Sequence, residues 1–163
     1  MPLFDRRRWL IRLLSLYPPY LGAGIRVRVA PDFRTVTVRM RLRFWNRNYV
    51  GTQFGGSLYS MCDPFFMLIL LEHLGPGYVV WDKAATIRFR RPGKGTVRAT
   101  FHIPEERIAE IRAAADNVGN DGNGGKVEPV FRVDVVNEKG EVVADIEKLL
   151  YVRRKDPVPV AGT

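Results

Sequence analysis

Cysteine and histidine are almost missing from this chain of 163 residues, which holds one cysteine, Cys62, and two histidines, His73 and His102. A single cysteine closes no internal disulfide, and no CxxC or CxxxH spacing offers a structural zinc site, so no metal is expected. Two isolated histidines also supply a serine–histidine–aspartate triad poorly. A membrane-spanning run is absent too. The most apolar stretch, Leu58 to Leu71, is shorter than the roughly 20 residues that cross a bilayer, and Asp63 and Pro64 sit inside it, so no integral membrane association is expected. Arg6, Arg7 and Arg8 precede an apolar segment as in a signal peptide, but Arg12 interrupts it and Pro18–Pro19 breaks it. A cytoplasmic location is the expectation. Acidic residues are outnumbered, 17 against 26 Lys and Arg, for a net charge of +9. That balance suits a polyanion: nucleic acid, anionic lipid, or a phosphate-bearing small molecule such as coenzyme A.

What is present reads as one domain over 1–163, with 46% hydrophobic residues to build a core and no internal repeat. Residues 5–17 read as an amphipathic helix capped by Asp5, with Trp9, Leu13 and Leu16 at helical spacing. Residues 25–30 and 35–44 alternate apolar with basic or polar side chains, the signature of strands with one wet face. The apolar segment over 56–74 is too short to span a bilayer and reads as a buried central helix stopped by Gly75-Pro76-Gly77. Residues 78–91 and 96–103 form a strand pair around Pro-Gly-Lys-Gly, 104–115 a surface helix, and 128–137 with 141–154 a hairpin. The glycine-rich run at 117–125 reads as a mobile loop and 155–163 as an extended tail. One very apolar helix among about six strands predicts an α+β fold, a curved antiparallel sheet wrapped around that helix.

Chemistry concentrates where this helix begins. Gly55 and Gly56 leave backbone N–H groups unobstructed at a helix N-terminus, a place suited to hold a carbonyl oxygen as it becomes an oxyanion. Gly56, Tyr59, Ser60 and Asp63 fall at i, i+3, i+4 and i+7 and share a face. A carboxylate in so apolar a helix is costly to bury unless it is paired or working, and it suits a general base or nucleophile. Pro64 lacks the N–H that the Ser60 carbonyl would accept from, which predicts a kink at the carboxylate. A structural Asp63 bonded to a neighbouring hydroxyl or backbone group is the other reading of the same residues.

Together these features resemble the hotdog-fold acyl-CoA thioesterases, and locally the phenylacetate-pathway type. In that type an Asn precedes a His-Gly-Gly by six residues, and an Asp or Glu follows the His by nine. Here Asn48 stands six before Phe54, Gly55 and Gly56 follow, and Asp63 stands nine after Phe54, which occupies the place of the histidine. The segments FGGSLYSMCDPFFMLILLEHLG and VVWDKAATIRFRRPGKGTV are similar to a largely uncharacterised thioesterase-like branch. The resemblance implies a hotdog fold, Asp63 as the helix carboxylate, the Gly56 N–H as oxyanion donor, and Asn48 or Gln53 to orient water. Phe54 offers only its backbone and an apolar wall. It also implies that Asp63 faces Gly55–Gly56 of a partner subunit in a homodimer or homotetramer. Acyl-CoA is the implied substrate, with coenzyme A entering as part of it and no separate cofactor.

Arg88, Arg90, Arg91 and Lys94 surround Pro92-Gly93, where hotdog thioesterases often receive the phosphates of coenzyme A; a solvated strand edge explains them as well. Asp82 is a second carboxylate reaching the site, one half of a strand-end ion pair, or a dimer contact. Cys62, His73 and His102 read as core or surface residues. Phe66, Met67 and Leu70 either line an acyl pocket or pack the core. A non-catalytic acyl-CoA or lipid-binding module would use the same groove. A nucleic-acid-binding domain has only the charge to support it and no recognisable motif, so no nucleic-acid partner is expected.

Overall fold

Alternation of aliphatic residues with arginine and threonine makes the first two strands. β1 (Ile25–Val29) and β2 (Thr35–Arg41) bury Ile25, Val36, Val38 and Met40 on one face and send Arg26, Arg28, Arg39 and Arg41 out on the other. The computed structural model describes residues 13–117 and 125–155. It adds β3 (Tyr78–Phe89), β4 (Thr96–His102), β5 (Lys126–Val127), β6 (Val130–Val136) and β7 (Val142–Arg154). They join one curved antiparallel sheet of order β1-β2-β4-β6-β7-β3, with β5 paired to the end of β7. The expected architecture is present with one more strand than expected, but β3 and β4 do not pair across Pro-Gly-Lys-Gly as expected: β3 pairs with β7 at the sheet edge, and β4 lies between β2 and β6. β5 is two residues long, too short to carry a periodic signal.

The central helix is two helices. α2 (Gly55–Ser60) and α3 (Phe65–Leu74) are separated by a turn in which the Cys62 N–H reaches back to Tyr59 and the Asp63 N–H to Ser60, three residues each rather than four. Pro64 causes the break as expected, since it offers no N–H to the Ser60 carbonyl. The Tyr20 hydroxyl takes the vacant position, donating to that carbonyl at 3.1 Å. Tyr20 belongs to α1 (Pro18–Ala23), whose first two positions are the tandem prolines, where a fixed φ and a missing N–H cost nothing. Ahead of α1, Leu13–Leu16 forms a 3-10 turn rather than the end of an α-helix; the rest of the expected 5–17 helix lies outside the described residues. The expected loop and tail, apart from Asn117, Gly125 and Lys155, also lie outside them. α4 (Glu105–Asp116) covers the surface.

α3 fills the concave side of the sheet. Phe65, Phe66, Ile69 and Leu70 are buried, and Phe65 and Phe66 pack on Phe101 of β4 with ring centroids 5.0 and 5.1 Å apart. Each such ring contributes about 1.5–3 kcal/mol on leaving water. Phe66 and Leu70 are therefore core residues, with Met67 partly buried against the same cluster. Gly75 ends α3 at φ 83°, a backbone region that L side chains avoid. No helix among the described residues is long and apolar enough to cross a membrane.

Candidate active site

Asp63 sits at the break between α2 and α3, and the kink turns its side chain away from the core so that it stays 49% exposed. The expectation of a carboxylate buried in an apolar helix is corrected on this point. Its Oδ1 accepts two bonds, from the Tyr59 hydroxyl at 2.8 Å and from the Lys148 ammonium at 2.9 Å. Among the described residues Oδ2 has no partner. Tyr59 and Asp63 meet because they lie four apart on a helical face, as the spacing predicts.

Lys148 is the residue that the sequence reading overlooked. Its side chain is fully buried, and its ammonium lies 2.9 Å from Asp63 and 3.2 Å from Asp82 Oδ2. The signal was in β7, where Ala144, Ile146, Leu150 and Val152 point inward at every second position and Lys148 falls in the same register. A charge on the core side of an alternating strand demands partners, and two carboxylates supply them. Burial alone pushes the Lys148 ammonium pKa down; the bonds to Asp63 and Asp82 override it, and the net direction is up.

Asp82 reaches the site as the second carboxylate. Regular alternation from the buried Val80 puts Asp82 on the inner face opposite Leu150, towards Lys148, while Lys83 turns outward to Glu128 at 2.7 Å, and β3 bulges just after Asp82. Burial raises the Asp82 pKa, with Lys148 opposing and Asp63 adding to the rise, and its Oδ1 is buried without a partner among the described residues. The trio of Asp63, Asp82 and Lys148 carries a net charge of −1, so the lysine does not cancel the site's negative charge. Burial also raises the Tyr59 phenol, aided by its bond to Asp63, and pushes the Cys62 thiol up to about 12, leaving Cys62 an inert core residue.

A second group of predicted residues lines an open cleft of about 400 Å³ formed by the turn before α2 and the end of β3. Asn48, Gln53, Gly55, Arg90, Arg91 and Gly93 are on its wall. Asn48 shapes the turn: its carboxamide donates to the Thr52 hydroxyl at 2.9 Å and accepts from the Thr52 N–H at 2.9 Å. Gln53 is buried and gives its Nε2 to the carbonyls of Met40 and Gly95, while its Oε1 has no partner among the described residues. Both amide nitrogens thus serve the turn, bonded to Thr52 and to backbone carbonyls.

Phe54 is 56% exposed, and its ring lies over Gly56, where an added Cβ would come within 2.5 Å. The Phe89 ring approaches Gly55 in the same way, at 3.1 Å. The Gly-Gly pair therefore has a packing reason besides open N–H groups. Ser60 contributes its backbone carbonyl to Tyr20. Arg88 and Arg90 share a face, as their alternation predicts, and both pair with Asp145, whose carboxyl they hold below the usual range. Arg91 bonds the Val142 carbonyl, and Lys94 is exposed and not on the cleft wall. Asp63 and Tyr59 are not on that wall either. Among the described residues no cluster of His, Cys, Asp and Glu could hold a metal.

Residues 6–152 match the family model described as a domain of unknown function, DUF4442. No curated protein matches the chain. A Pseudomonas aeruginosa protein of unknown function, described as a probable thioesterase, is similar in structure at 27% identity and TM-score 0.77, over 91% of this chain and 96% of that one. A Haemophilus influenzae thioesterase aligns at 17% identity and TM-score 0.61, over 88% and 87% of the two chains. The E. coli PaaI protein from the phenylacetic acid degradation operon aligns at 19% identity and TM-score 0.58, over 95% and 98%. The hotdog architecture expected from the sequence is shared with these structures.

Proposed function

The chain belongs to the DUF4442 family, and from that premise and the geometry above we propose that it hydrolyses acyl-CoA thioesters. The observation that carries the reading is the Asp63 carboxylate. One oxygen is pinned by Tyr59 and Lys148, and the other is open at the helix break. In the proposed step Oδ2 accepts a proton from a water whose oxygen adds to the thioester carbonyl carbon. The carbonyl electrons move onto oxygen, and the N–H groups of Gly55 and Gly56 at the start of α2 receive the charge. Collapse of this intermediate expels the coenzyme A thiolate. Lys148 is too buried to touch substrate and acts as a positioning residue. Asp82 keeps Lys148 from neutralising Asp63 fully.

A second copy would complete the site. The cleft with Gly55 and the arginines does not include Asp63, and β3 is a sheet edge of 12 residues with Ala84, Ala85 and Thr86 exposed. An unpaired edge of that length is a template for pairing with another chain. In such a dimer the Asp63 of one protomer faces the glycine turn of its partner, and Arg90 and Arg91 receive the phosphates of coenzyme A. Acyl-CoA as substrate is in keeping with the cytoplasmic location expected from the sequence.

Phe54 in the histidine's place favours a second reading, a non-catalytic acyl-CoA or lipid-binding protein on the same fold. Thiol release over short, long and aromatic acyl-CoAs, alongside calorimetry, separates the two. Turnover supports the hydrolase. Binding without turnover moves the assignment to the binding protein.

A further inference from the structure

The outer face of the sheet is of two kinds. Over β6, β7 and β3 its cations are matched: Arg132 with Glu147 at 2.7 Å, Lys83 with Glu128 at 2.7 Å, and Arg88 and Arg90 with Asp145. Over β1, β2 and β4 the outward side chains include Arg26, Arg28, Arg39, Arg41 and Arg98, and these three strands contain no Asp or Glu. Among the described residues none of the five forms an ion pair. The register sharpens the contrast. Arg26 stands opposite Arg39 and Arg39 opposite Arg98, a file of three arginines across three strands, about 10 Å from end to end. Like charges directly opposite one another destabilise a sheet. A surface that keeps them without an ion pair among the described residues, beside a half that balances its own, is suited to an external anion.

The face is also indented. A cavity of about 660 Å³ is lined by Arg26, Arg28, Arg39 and Arg98, with Asn137 and Glu138 of the turn between β6 and β7 on its wall. Four guanidinium groups against one carboxylate leave it at +3. A second cavity of about 290 Å³ shares Arg26 and Arg39 with the first and continues to Arg41, Arg43, Leu21 and Trp45. Trp45 is exposed, with the Arg43 guanidinium 5.3 Å from its ring centroid.

We propose that this double cavity binds a nucleoside polyphosphate, with the phosphates along the Arg26–Arg39–Arg98 file and the base against Trp45 and Leu21. Arginine forks match phosphate oxygens, and an exposed indole with an adjacent cation suits a heteroaromatic ring. The wall favours a discrete ligand over a bilayer or a long nucleic acid, because Glu138 stands where a continuous anionic surface would press. The site lies on the outer face of the sheet, opposite the face that packs on α3, so the proposal does not depend on thioester hydrolysis.

Calorimetry on the full chain with ATP and with inorganic tripolyphosphate tests it. Both bind, ATP more tightly, and both weaken as salt is raised. Arg39→Gln and Arg98→Gln each weaken both ligands by about tenfold, the effect of one charged hydrogen bond. Trp45→Ala weakens ATP and leaves tripolyphosphate unchanged. Arg132→Gln, in the matched half, and Arg90→Gln, on the cleft wall, leave both unchanged. Arg39→Gln removes a like-charge opposition, so its melting midpoint does not fall below that of the wild type, which separates lost binding from lost fold. No binding, or equal losses in Arg132→Gln and Arg39→Gln, reduces the face to solvated charge and overturns the proposal. Loss in Arg90→Gln alone would move the ligand to the cleft. Association with phosphatidylserine vesicles that saturating ATP does not displace would make the face a membrane contact instead.

Discussion

Replacing Lys148 by methionine removes the charge at the centre of the site while keeping the length of the side chain. The wild-type ammonium holds Asp63 at 2.9 Å and Asp82 at 3.2 Å from a fully buried position. Breaking a buried pair costs about 3–5 kcal/mol when the orphaned charge stays buried. Asp63 is 49% exposed and can return to water, whereas Asp82 is 21% exposed and has one oxygen already without a partner. One stranded carboxylate puts the loss near the low end, about 3 kcal/mol. For a domain of this size about 2–4 °C is lost per kcal/mol, so the melting midpoint at pH 7 falls by about 6–12 °C. The Asp82→Asn/Lys148→Met double variant recovers most of that loss, a coupling of about 2 kcal/mol.

The pH dependence has a definite sign. Burial already raises the Asp82 pKa, and without Lys148 it rises further, so the penalty present at pH 7 shrinks as acid protonates Asp82. In the wild type Lys148 is raised, so its stabilisation is complete below about 10.5 and is lost as pH climbs through its folded value. The gap between wild type and Lys148→Met should therefore be widest near neutrality and narrow on both sides. Thermal and urea melts from pH 4 to 11 read it directly. A Lys148→Met protein melting within about 2 °C of wild type, or a gap independent of pH, would refute the electrostatic account of the trio.

Three further outcomes follow from single contacts. Tyr20→Phe removes the donor to the Ser60 carbonyl at the helix break and should cost about 1 kcal/mol, or about 2–4 °C in a melt. Phe54→His supplies the histidine of the motif that the sequence resembles, and kcat in a thiol-release assay should rise at least about tenfold. Arg91→Gln should raise KM for acyl-CoA severalfold with an effect that fades at high salt, and Arg90→Gln less so, because Arg90 is tied to Asp145.

The fold was legible because its signals are local. Period-two runs placed the six longer strands, and Pro64 announced the break in the central helix. The partner of the freed Ser60 carbonyl was not legible, since Tyr20 lies 40 residues away and nothing in its neighbourhood marks its phenol as a cap. The site was half legible. Helical spacing brought Tyr59 to Asp63, but Lys148 lies 85 residues from Asp63 and becomes visible only when a charged residue is noticed on the inward register of β7. Asn48 and Gln53 matched a motif by position, but spacing does not reveal that their amide nitrogens are bonded within the turn, to Thr52 and to backbone carbonyls. Asp82 falls on the inward register of β3 two residues after Val80, and the sequence marks it only as a polar interruption in an apolar strand.

The central claim is that Asp63 performs the chemistry. Its most direct test is kcat of Asp63→Asn with saturating acyl-CoA, using the best substrate from the panel, with substrate affinity measured on the same preparations. The amide keeps the shape and the bond from Tyr59 but cannot take a proton from water. The account predicts a loss of about 10²–10⁴ in kcat with acyl-CoA affinity unchanged. Full turnover by Asp63→Asn would contradict it.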